Sequence, residues 1–347
     1  MWRFLWIPIL LGMTAGCGGP GPLRVAVVTD PQQGPLSEAF LRGVQYAFKG
    51  AQNPSLELQT LSPKELPAHL EKVTVVIAGP MDLPDLRALL TLCESQHRPV
   101  IVAANHTLNL AKYPRVWRIP LNSDYLANAA AFFALKMLKK QRFAALCDTT
   151  DPEASALLAD LRRYLQVYRA SGPLRVLTPA DTSMPRLRRW LRKNRPEVIF
   201  FVSSPGFSPD LSSLWQAGFR GAVIGFHEWT PEAPQKGEVY MVTDFCAADP
   251  EAQDFVQRYT QTMGVVPGLC DALGHDALQV VLAVAQRLET PSPEVFAARM
   301  RTVRVQGATG VLEFGTSHDP LGKRPLIVQY TAEGRRVVAR PAVSPYR

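Results

Sequence analysis

Apolar positions along this chain alternate between short continuous runs and stretches with helical spacing. Residues 23–29, 73–78 and 99–104 are apolar runs of strand length. Between these runs, over residues 36–48 and 84–96, apolar side chains recur every three or four positions. Continuous apolar strands separated by amphipathic helices are typical of parallel sheets that helices cover on both faces, so this part of the chain is predicted to form such a unit.

The same pattern starts again after a pause at residues 113–124. Further strands are predicted at residues 143–147, 174–177, 197–202, 222–225 and 239–242. Helices are predicted at residues 126–140, 151–165, 184–193, 209–217, 250–263 and 271–288, and short strands at 311–314 and 326–330. The chain is therefore predicted to be an α/β protein with two doubly wound parallel-sheet units, and its tail from Arg340 is predicted to be loose.

The start of the chain has the features of a bacterial lipoprotein signal peptide. Arg3 precedes an apolar run over residues 4–13, and the small residues 14–16 lead into Cys17. The run is shorter than the ~20 residues that cross a bilayer, which disfavours an uncleaved transmembrane anchor. We expect a signal peptide over residues 1–16 and lipid attachment at Cys17. The alternative is an ordinary cleaved signal in which Cys17 has no role.

Composition and charge support a two-domain protein outside the cytoplasm. The chain has 347 residues with 47% hydrophobic content, which suffices for two cores. The net charge of +8 includes a cluster of cations at residues 186–195, where Leu187 and Leu191 have helical spacing. We interpret the cluster as the solvated face of an amphipathic helix. A secreted location disfavours binding to nucleic acid, and a basic surface that faces anionic lipid is the favoured alternative.

The chemical motifs indicate no enzyme, metal or cofactor. The cysteines after the leader are Cys93, Cys147, Cys246 and Cys270. They form no close metal-binding pair, although Cys246 and Cys270 are the favoured partners if one disulfide forms. Residues 16–21 match G-x-G-x-x-G only at the cleavage site, and neither G-x-S-x-G nor H-E-x-x-H occurs. We therefore expect neither catalysis nor a cofactor.

Several short motifs follow one another in an order that is typical of one protein family. They are residues 75–80 (VVIAGP), 99–101 (PVI) with 105–107 (NHT), 116–120 (VWRIP) with Asp124, 274–277 (GHDA), and 310–314 (GVLEF) with 319–326. In these motifs the chain resembles the type I periplasmic binding proteins, and within them the leucine/isoleucine/valine-binding branch of ABC-transporter solute receptors. The resemblance covers residues 23–330.

The resemblance implies two lobes that are joined by a hinge of three crossing strands. Carried onto this chain, the first lobe is residues 23–120 plus 246–325, and the second is residues 121–245 plus 326–347. A ligand that contacts both lobes stabilises the closed form over the open form, and an ABC permease recognises the closed form. The implied partners are a small-molecule ligand and that permease.

The resemblance also indicates which residues bind the ligand. In members that bind amino acids, hydroxyl groups after the second and third strands hold the carboxylate, and groups in the second lobe hold the ammonium. The matching positions here are Asp82, Asn105 and Thr107 in the first lobe and Ser203 and Glu228 in the second. Asp82 replaces a hydroxyl and repels a carboxylate, so the identity of the small polar or amino-acid-like ligand stays open.

Most of these residues also have a structural interpretation. Asp82 is suited to cap the helix that follows it, and Asn105 and Thr107 are suited to satisfy backbone groups in a turn. Glu228 is also compatible with a surface loop. Residues 319–323 are interpreted as a tight turn and nothing more.

Two functions from different classes follow from these features. The first is an extracytoplasmic solute-binding lipoprotein of an ABC transporter, lipid-anchored on the periplasmic side of a bacterial membrane. The second is an envelope lipoprotein that uses the same fold as a sensor or protein-interaction module. The first is the leading hypothesis, and the second is the alternative, which the partial match at the ligand-binding positions supports, since one fold serves many functions.

Overall fold

Five parallel strands form the first sheet of the structure, a computed structural model that describes residues 21–51, 56–104, 107–178, 183–203, 211–226 and 238–343. These strands are β1 (Leu23–Val28), β2 (Leu56–Leu61), β3 (Val75–Ala78), β4 (Val100–Val102) and β5 (Val116–Arg118). Their order across the sheet is β2-β1-β3-β4-β5. All positions of β3 and β4 are buried, as expected for strands that are covered on both faces.

The second sheet has seven strands and is mostly parallel. They are β6 (Phe143–Cys147), β7 (Arg175–Leu177), β8 (Val198–Val202), β9 (Ala222–Phe226), β10 (Glu238–Thr243), β13 (Leu326–Thr331) and β14 (Gly334–Ala339). Their order is β14-β13-β10-β9-β8-β6-β7, and β13 is antiparallel to both of its neighbours. A separate antiparallel hairpin joins β11 (Arg304–Gly307) to β12 (Gly310–Glu313).

Helices follow most of the parallel strands. They are α1 (Pro35–Gly50), α2 (Leu66–His69), α3 (Leu83–Ser95), α4 (Ser123–Phe132), α5 (Pro152–Val167), α6 (Met184–Asn194), α7 (Ser212–Gln216), α8 (Gln253–Met263), α9 (Leu269–Ala285) and α10 (Pro293–Met300). N-terminal caps fix the first residues of three of these helices. The side chains of Asp82, Asn122 and Asp151 each accept a hydrogen bond from a backbone N–H in the first turn of the helix that follows.

The chain passes between the two sheets three times. The first crossing joins β5 to α4, the second joins β10 to α8, and the third joins β12 to β13. Each sheet has a buried apolar core on both faces, and the helices α8, α9 and α10 pack with the first sheet. The structure therefore has two lobes, and three segments connect them.

Most strands match the sequence-based expectation, and the strands that were missed are short or partly exposed. Strand β6 spans residues 143–147 as predicted. Strands β2, β5, β11 and β14 were not predicted. Strands β2 and β14 lie at sheet edges and β11 is in a two-stranded hairpin, so each has exposed or half-buried positions instead of a continuous apolar run. Strand β5 is buried but has only three residues and ends in Arg118, so it falls in the segment that the sequence presents as a pause. The tail predicted to be loose begins after β14: the described residues 340–343 form no helix or strand, although Arg340 forms ion pairs with Asp249 and Glu251.

The cysteines test one expectation from the sequence, the disulfide between Cys246 and Cys270. Cys93, Cys147, Cys246 and Cys270 are thiols in the structure, so the favoured Cys246–Cys270 disulfide is not formed. Cys246 packs in a core of the second sheet, whereas Cys270 packs against the core beside α1 and α9, and this separation explains the result. Within the described ranges, no helix combines the length and apolar character that a membrane span needs.

Candidate functional site

Each sheet has one place where the direction of winding reverses. In the first sheet it lies between β1 and β3, and in the second between β6 and β8. The connections on the two sides of such a pair leave in opposite directions, so a crevice forms at the carboxyl ends of the strands, where ligands bind in open α/β sheets. The topology thus defines one candidate crevice in each lobe.

The crevice of the first lobe is formed by Thr29 and Asp30 after β1 and by Gly79 and Pro80 after β3. The backbone N–H of Asp30 donates to the carbonyl of Pro80 over 2.9 Å and joins the two loops. A Cβ at position 79 would lie 2.6 Å from the ring of Phe40 and 2.7 Å from Cγ2 of Thr29, so only glycine fits here. These contacts hold the floor of the crevice in one conformation.

The crevice of the second lobe lies between the loops that follow β6 and β8. Asp148 is exposed, and its Oδ1 accepts hydrogen bonds from the backbone N–H of Thr150 over 2.9 Å and from the hydroxyl of Thr150 over 2.6 Å. The side-chain and backbone hydrogen bonds from Thr150 lower the pKa of the Asp148 carboxyl. Ser203 is half-buried directly after β8 and lies on the other side of the crevice.

The structure describes three of the residues that the resemblance indicated. Asp82 is exposed, and its Oδ1 accepts the backbone N–H of Asp85 over 2.8 Å at the start of α3, so the capping interpretation holds. Thr107 is half-buried in the loop after β4, and Ser203 follows β8. Their contact with a ligand stays a prediction. The residues that lie outside the described part of the chain are Asn105, Glu228 and Cys17.

The charge of the crevice loops has one sign. Among the described residues after β1, β3, β6 and β8 and before the next α-helix, and those after β4 up to Asn109, the charged ones are Asp30, Asp82, Asp148 and Asp151. Each of these carboxylates accepts a backbone N–H of its own turn. Four carboxylates near the crevices disfavour a ligand whose carboxylate faces these loops, and they favour amine or hydroxyl groups at that position.

A buried ion pair joins all three crossings between the lobes. The ammonium of Lys323, in the third crossing, lies 3.0 Å from Oδ2 of Asp244 in the second, and it donates to the carbonyl of Ile119 in the first over 2.9 Å. The same Oδ2 accepts the backbone N–H of Leu121 over 2.6 Å. The side chains of Lys323 and Asp244 are 0% and 1% exposed. The three crossings are therefore tied together at one point.

A second buried cation ties the first crossing to the third. The guanidinium of Arg118 is 2% exposed, and its Nε lies 3.0 Å from Oδ1 of Asp319. The amide of Asn122 donates to Oδ2 of Asp319 over 2.9 Å, and the backbone N–H of Arg118 donates to the carbonyl of His318 over 2.8 Å. The interpretation of residues 319–323 as a turn and nothing more was therefore wrong, because both ends of that segment bind across the hinge.

The hairpin β11–β12 is held by a fully buried carboxylate on α9. Asp276 accepts the backbone N–H groups of Ala308 and Thr309 over 2.6 and 2.9 Å, the hydroxyl of Thr309 over 2.6 Å, and Nδ1 of His275 over 2.9 Å. Burial alone raises the pKa of Asp276, but the hydrogen bonds from His275 and Thr309 outweigh it, so the pKa lies below its ordinary value. This motif is structural and lies away from the crevice loops.

The hinge contacts could not be predicted from local spacing in the sequence. Asp244 and Lys323 are 79 positions apart, so no local spacing connects them. One signal was present: Asp244 follows the apolar strand β10 and precedes Phe245 and Cys246, which are also buried. A charged residue between buried residues is most often paired, and that rule would have indicated a partner without naming it. In the described part of the chain, no group of three or more His, Cys, Asp or Glu is suited to hold a metal ion.

Each of the two wound sheets has a crevice at its carboxyl edge, and three segments that meet at a buried ion pair connect them. This architecture defines a two-lobed binding protein of the type I periplasmic fold. The chain belongs to the periplasmic binding protein family, whose profile matches residues 70–335. The proteins of this family bind substrates for transporters and are not enzymes, and they act outside the cytoplasm. No curated protein matches the chain significantly in sequence.

Solved structures of the same fold cover nearly the whole chain. The leucine-binding protein of Thermotoga maritima has 18% identity and a TM-score of 0.74, over 92% of this chain and 98% of its own. A solute-binding protein from R. palustris in complex with benzoate has 15% identity and a TM-score of 0.71, over 93% and 98%. The branched-chain amino-acid binding protein of Streptococcus pneumoniae in complex with isoleucine has 13% identity and a TM-score of 0.71, over 92% and 100%.

Proposed function

We propose that this protein is the solute-binding component of an ABC transporter and captures a small polar or amino-acid-like molecule between its lobes. The observation that carries the proposal is the pairing of two carboxyl-edge crevices, one in each lobe, across a hinge that three segments form. A ligand that touches both crevices binds the closed form more tightly than the open form, and this difference drives closure. An ABC permease then recognises the closed protein.

The residues proposed to bind the ligand are Asp82, Asn105 and Thr107 in the first lobe and Ser203 and Glu228 in the second. Support for Thr107 and Ser203 comes from their half-buried positions in loops at the carboxyl edges. The acidic loops support a ligand with an amine or hydroxyl groups. The similar leucine-binding protein and the similar proteins in complex with isoleucine or benzoate support the size class of a small organic molecule.

We further propose that the mature protein begins at Cys17 and that acyl chains on this cysteine anchor it to a bacterial membrane. Two or more chains are needed for stable anchoring. Metabolic labelling with a radioactive fatty acid tests this proposal in the host. Label that persists after Cys17→Ser contradicts it.

Thermal unfolding against a ligand panel tests the transport function. Residues 18–347 include every described residue, and unfolding followed by refolding removes any ligand that was carried through purification. The panel contains amino acids, amides, polyamines, polyols and small carboxylates. A ligand at about a hundred times its dissociation constant stabilises the protein by about 2.7 kcal/mol, which raises the melting temperature by a few degrees.

Single-residue variants separate a cleft ligand from general stabilisation. Ser203→Ala and Thr107→Ala are expected to weaken the ligand-induced shift. Thr91→Ala, which removes an exposed hydroxyl on α3 that donates only to the carbonyl of Arg87, is the matched control and should keep the full shift. An equal loss in all three variants would contradict a ligand site at the crevices.

The alternative function is a sensor or protein-interaction module on the same fold. The capping role of Asp82 favours it, because this residue replaces a ligand-binding hydroxyl and is used by its own helix. If no compound in the panel raises the melting temperature, this alternative becomes the better one. Cross-linking in the host envelope then identifies the partner.

A further inference from the structure

The amino-terminal edge of the second sheet carries an unusual excess of positive charge. This edge is opposite to the carboxyl edge that forms the crevice, and its side chains come from the segments that precede β6, β7, β8 and β9 and from the β13–β14 turn. Because these four strands are parallel and β13 is antiparallel to β10, all of these segments meet at one edge. We call this surface the basic edge.

The segment before β6 contributes four cations. After α4 the helix continues as a π-helical turn, Phe133–Met137, and the chain then runs through several basic residues into the strand. These residues are Lys136, Lys139, Lys140 and Arg142. Lys136, Lys139 and Arg142 are exposed and Lys140 is half-buried, so all four contribute to the surface potential.

The neighbouring segments continue the same surface. The end of α6 and the residues after it contribute three exposed cations, Arg192, Lys193 and Arg195. The segment before β7 adds Arg169, the first position of β7 adds Arg175, and the segment before β9 adds Arg220, and all three are exposed. The start of β14, directly after the β13–β14 turn, adds Arg335 and Arg336.

Few carboxylates offset these charges. Among the described residues of this edge there are twelve Lys and Arg and three carboxylates, Glu197, Glu238 and Glu333. Glu197 already lies 3.5 Å from Arg142 and accepts two backbone N–H groups. The edge thus holds twelve of the 38 Lys and Arg residues of the chain but only three of its 30 Asp and Glu residues. Cations therefore outnumber carboxylates four to one at this end of the second lobe.

Apolar side chains and a groove accompany the cations. Met137 and Val167 are 46% and 43% exposed, and they lie beside Lys136 and Arg169. A groove of about 330 Å³ lies between Lys140 and the loops before β8 and β9. Exposed apolar groups between cations are typical of surfaces that insert shallowly between lipid headgroups, and guanidinium groups bind phosphate oxygens by paired hydrogen bonds.

We propose that the basic edge binds the anionic phospholipid headgroups of a membrane surface. The family acts outside the cytoplasm, so nucleic acid is not its polyanion. The edge spans five chain segments and is too broad for one small ligand, whereas a lipid surface presents many phosphates at once. The edge is on the second lobe and away from the crevice loops, so this inference does not depend on the solute.

Co-sedimentation with lipid vesicles tests the proposal. Residues 18–347 are mixed with vesicles of phosphatidylcholine alone or of phosphatidylcholine with phosphatidylglycerol. We expect binding only to the anionic vesicles and loss of binding at about 0.5 M salt, where the Debye length falls to about 4 Å. The combined variant Lys136→Glu, Arg192→Glu, Lys193→Glu should bind at least about tenfold more weakly, since each cation near such a surface contributes measurably.

Two controls keep the result specific. Lys72→Glu, Arg87→Glu, Lys112→Glu changes three exposed cations of the first lobe by the same total charge and should bind within about twofold of the parent. Met137→Ser should weaken binding to vesicles and leave binding to heparin unchanged, which separates a lipid surface from a soluble polyanion. Equal binding to both kinds of vesicle, an equal loss in the two triple variants, or binding to heparin without binding to vesicles would overturn the proposal.

Discussion

Replacing Lys323 with methionine removes the cation that ties the three crossings and keeps a side chain of similar length. The carboxylate of Asp244, which is 1% exposed, then keeps the backbone N–H of Leu121 as a hydrogen-bond donor and the electrostatic attraction of Arg118, and the carbonyl of Ile119 loses the Lys323 ammonium. Removal of one partner from a buried ion pair costs about 3–5 kcal/mol, because the remaining charge is uncompensated away from water. We expect the free energy of unfolding to fall by about that amount.

Urea unfolding of residues 18–347, followed by both tryptophan fluorescence and circular dichroism, measures the effect. The matched control is Arg24→Met, which removes the cation of an exposed pair with Glu57 whose side chains are 49% and 58% exposed, and it should cost about 0–1 kcal/mol. The double variant Asp244→Leu, Lys323→Met removes both buried charges and should be more stable than Lys323→Met alone. Equal small losses for Lys323→Met and Arg24→Met would refute a buried pair at the hinge.

Three further predictions concern other parts of the structure. Because the pKa of Asp276 is lowered in the folded protein, the stability that its ionised form contributes is present above the unfolded pKa near 4 and is lost as the pH falls through the folded pKa. Asp276→Asn should therefore lower stability at pH 7 and make the melting temperature fall less steeply with acid. An unchanged acid dependence of the melting temperature contradicts this. Gly79→Ala places a methyl group 2.6 Å from the ring of Phe40 and should cost about 1–3 kcal/mol in urea unfolding, whereas a neutral result means that the crevice floor adjusts. Burial raises the pKa of Cys93 to about 12 and that of Cys147 to about 11, so both thiols should react slowly with iodoacetamide at pH 8. Mass spectrometry should find both cysteines unmodified in the native protein and alkylated after denaturation. Alkylation of Cys93 in the native protein is the contrary outcome.

Strands with a continuous apolar run could be predicted from the sequence almost to the residue. Strand β6 is FAALC, bounded by Arg142 and Asp148, and every position except Leu146 is buried. Strand β2 is LELQTL, of which only the two end residues are buried, since it lies at the edge of its sheet. Edge strands carry polar side chains on the open side, so their local pattern does not separate them from loops.

The candidate site could be predicted only in outline. Motif order indicated the crevice loops, and Thr107 and Ser203 lie in such loops. The capping role of Asp82 was also predicted, because an acidic residue two positions before a proline is a typical N-cap of a helix. The Asp244–Lys323 pair was not foreseen, since it depends on three segments that are brought together only by the fold.

The tie at Lys323 constrains the kind of motion that the two lobes are able to make. Three separate connections would let one lobe slide past the other, whereas three connections joined at a buried point resist sliding and leave rotation about that point as the easier movement. Gly322, with φ of +76°, adjoins the tie and adopts a backbone conformation that other residues resist. If the lobes open and close as proposed, the tie at Lys323 is therefore the pivot about which they turn.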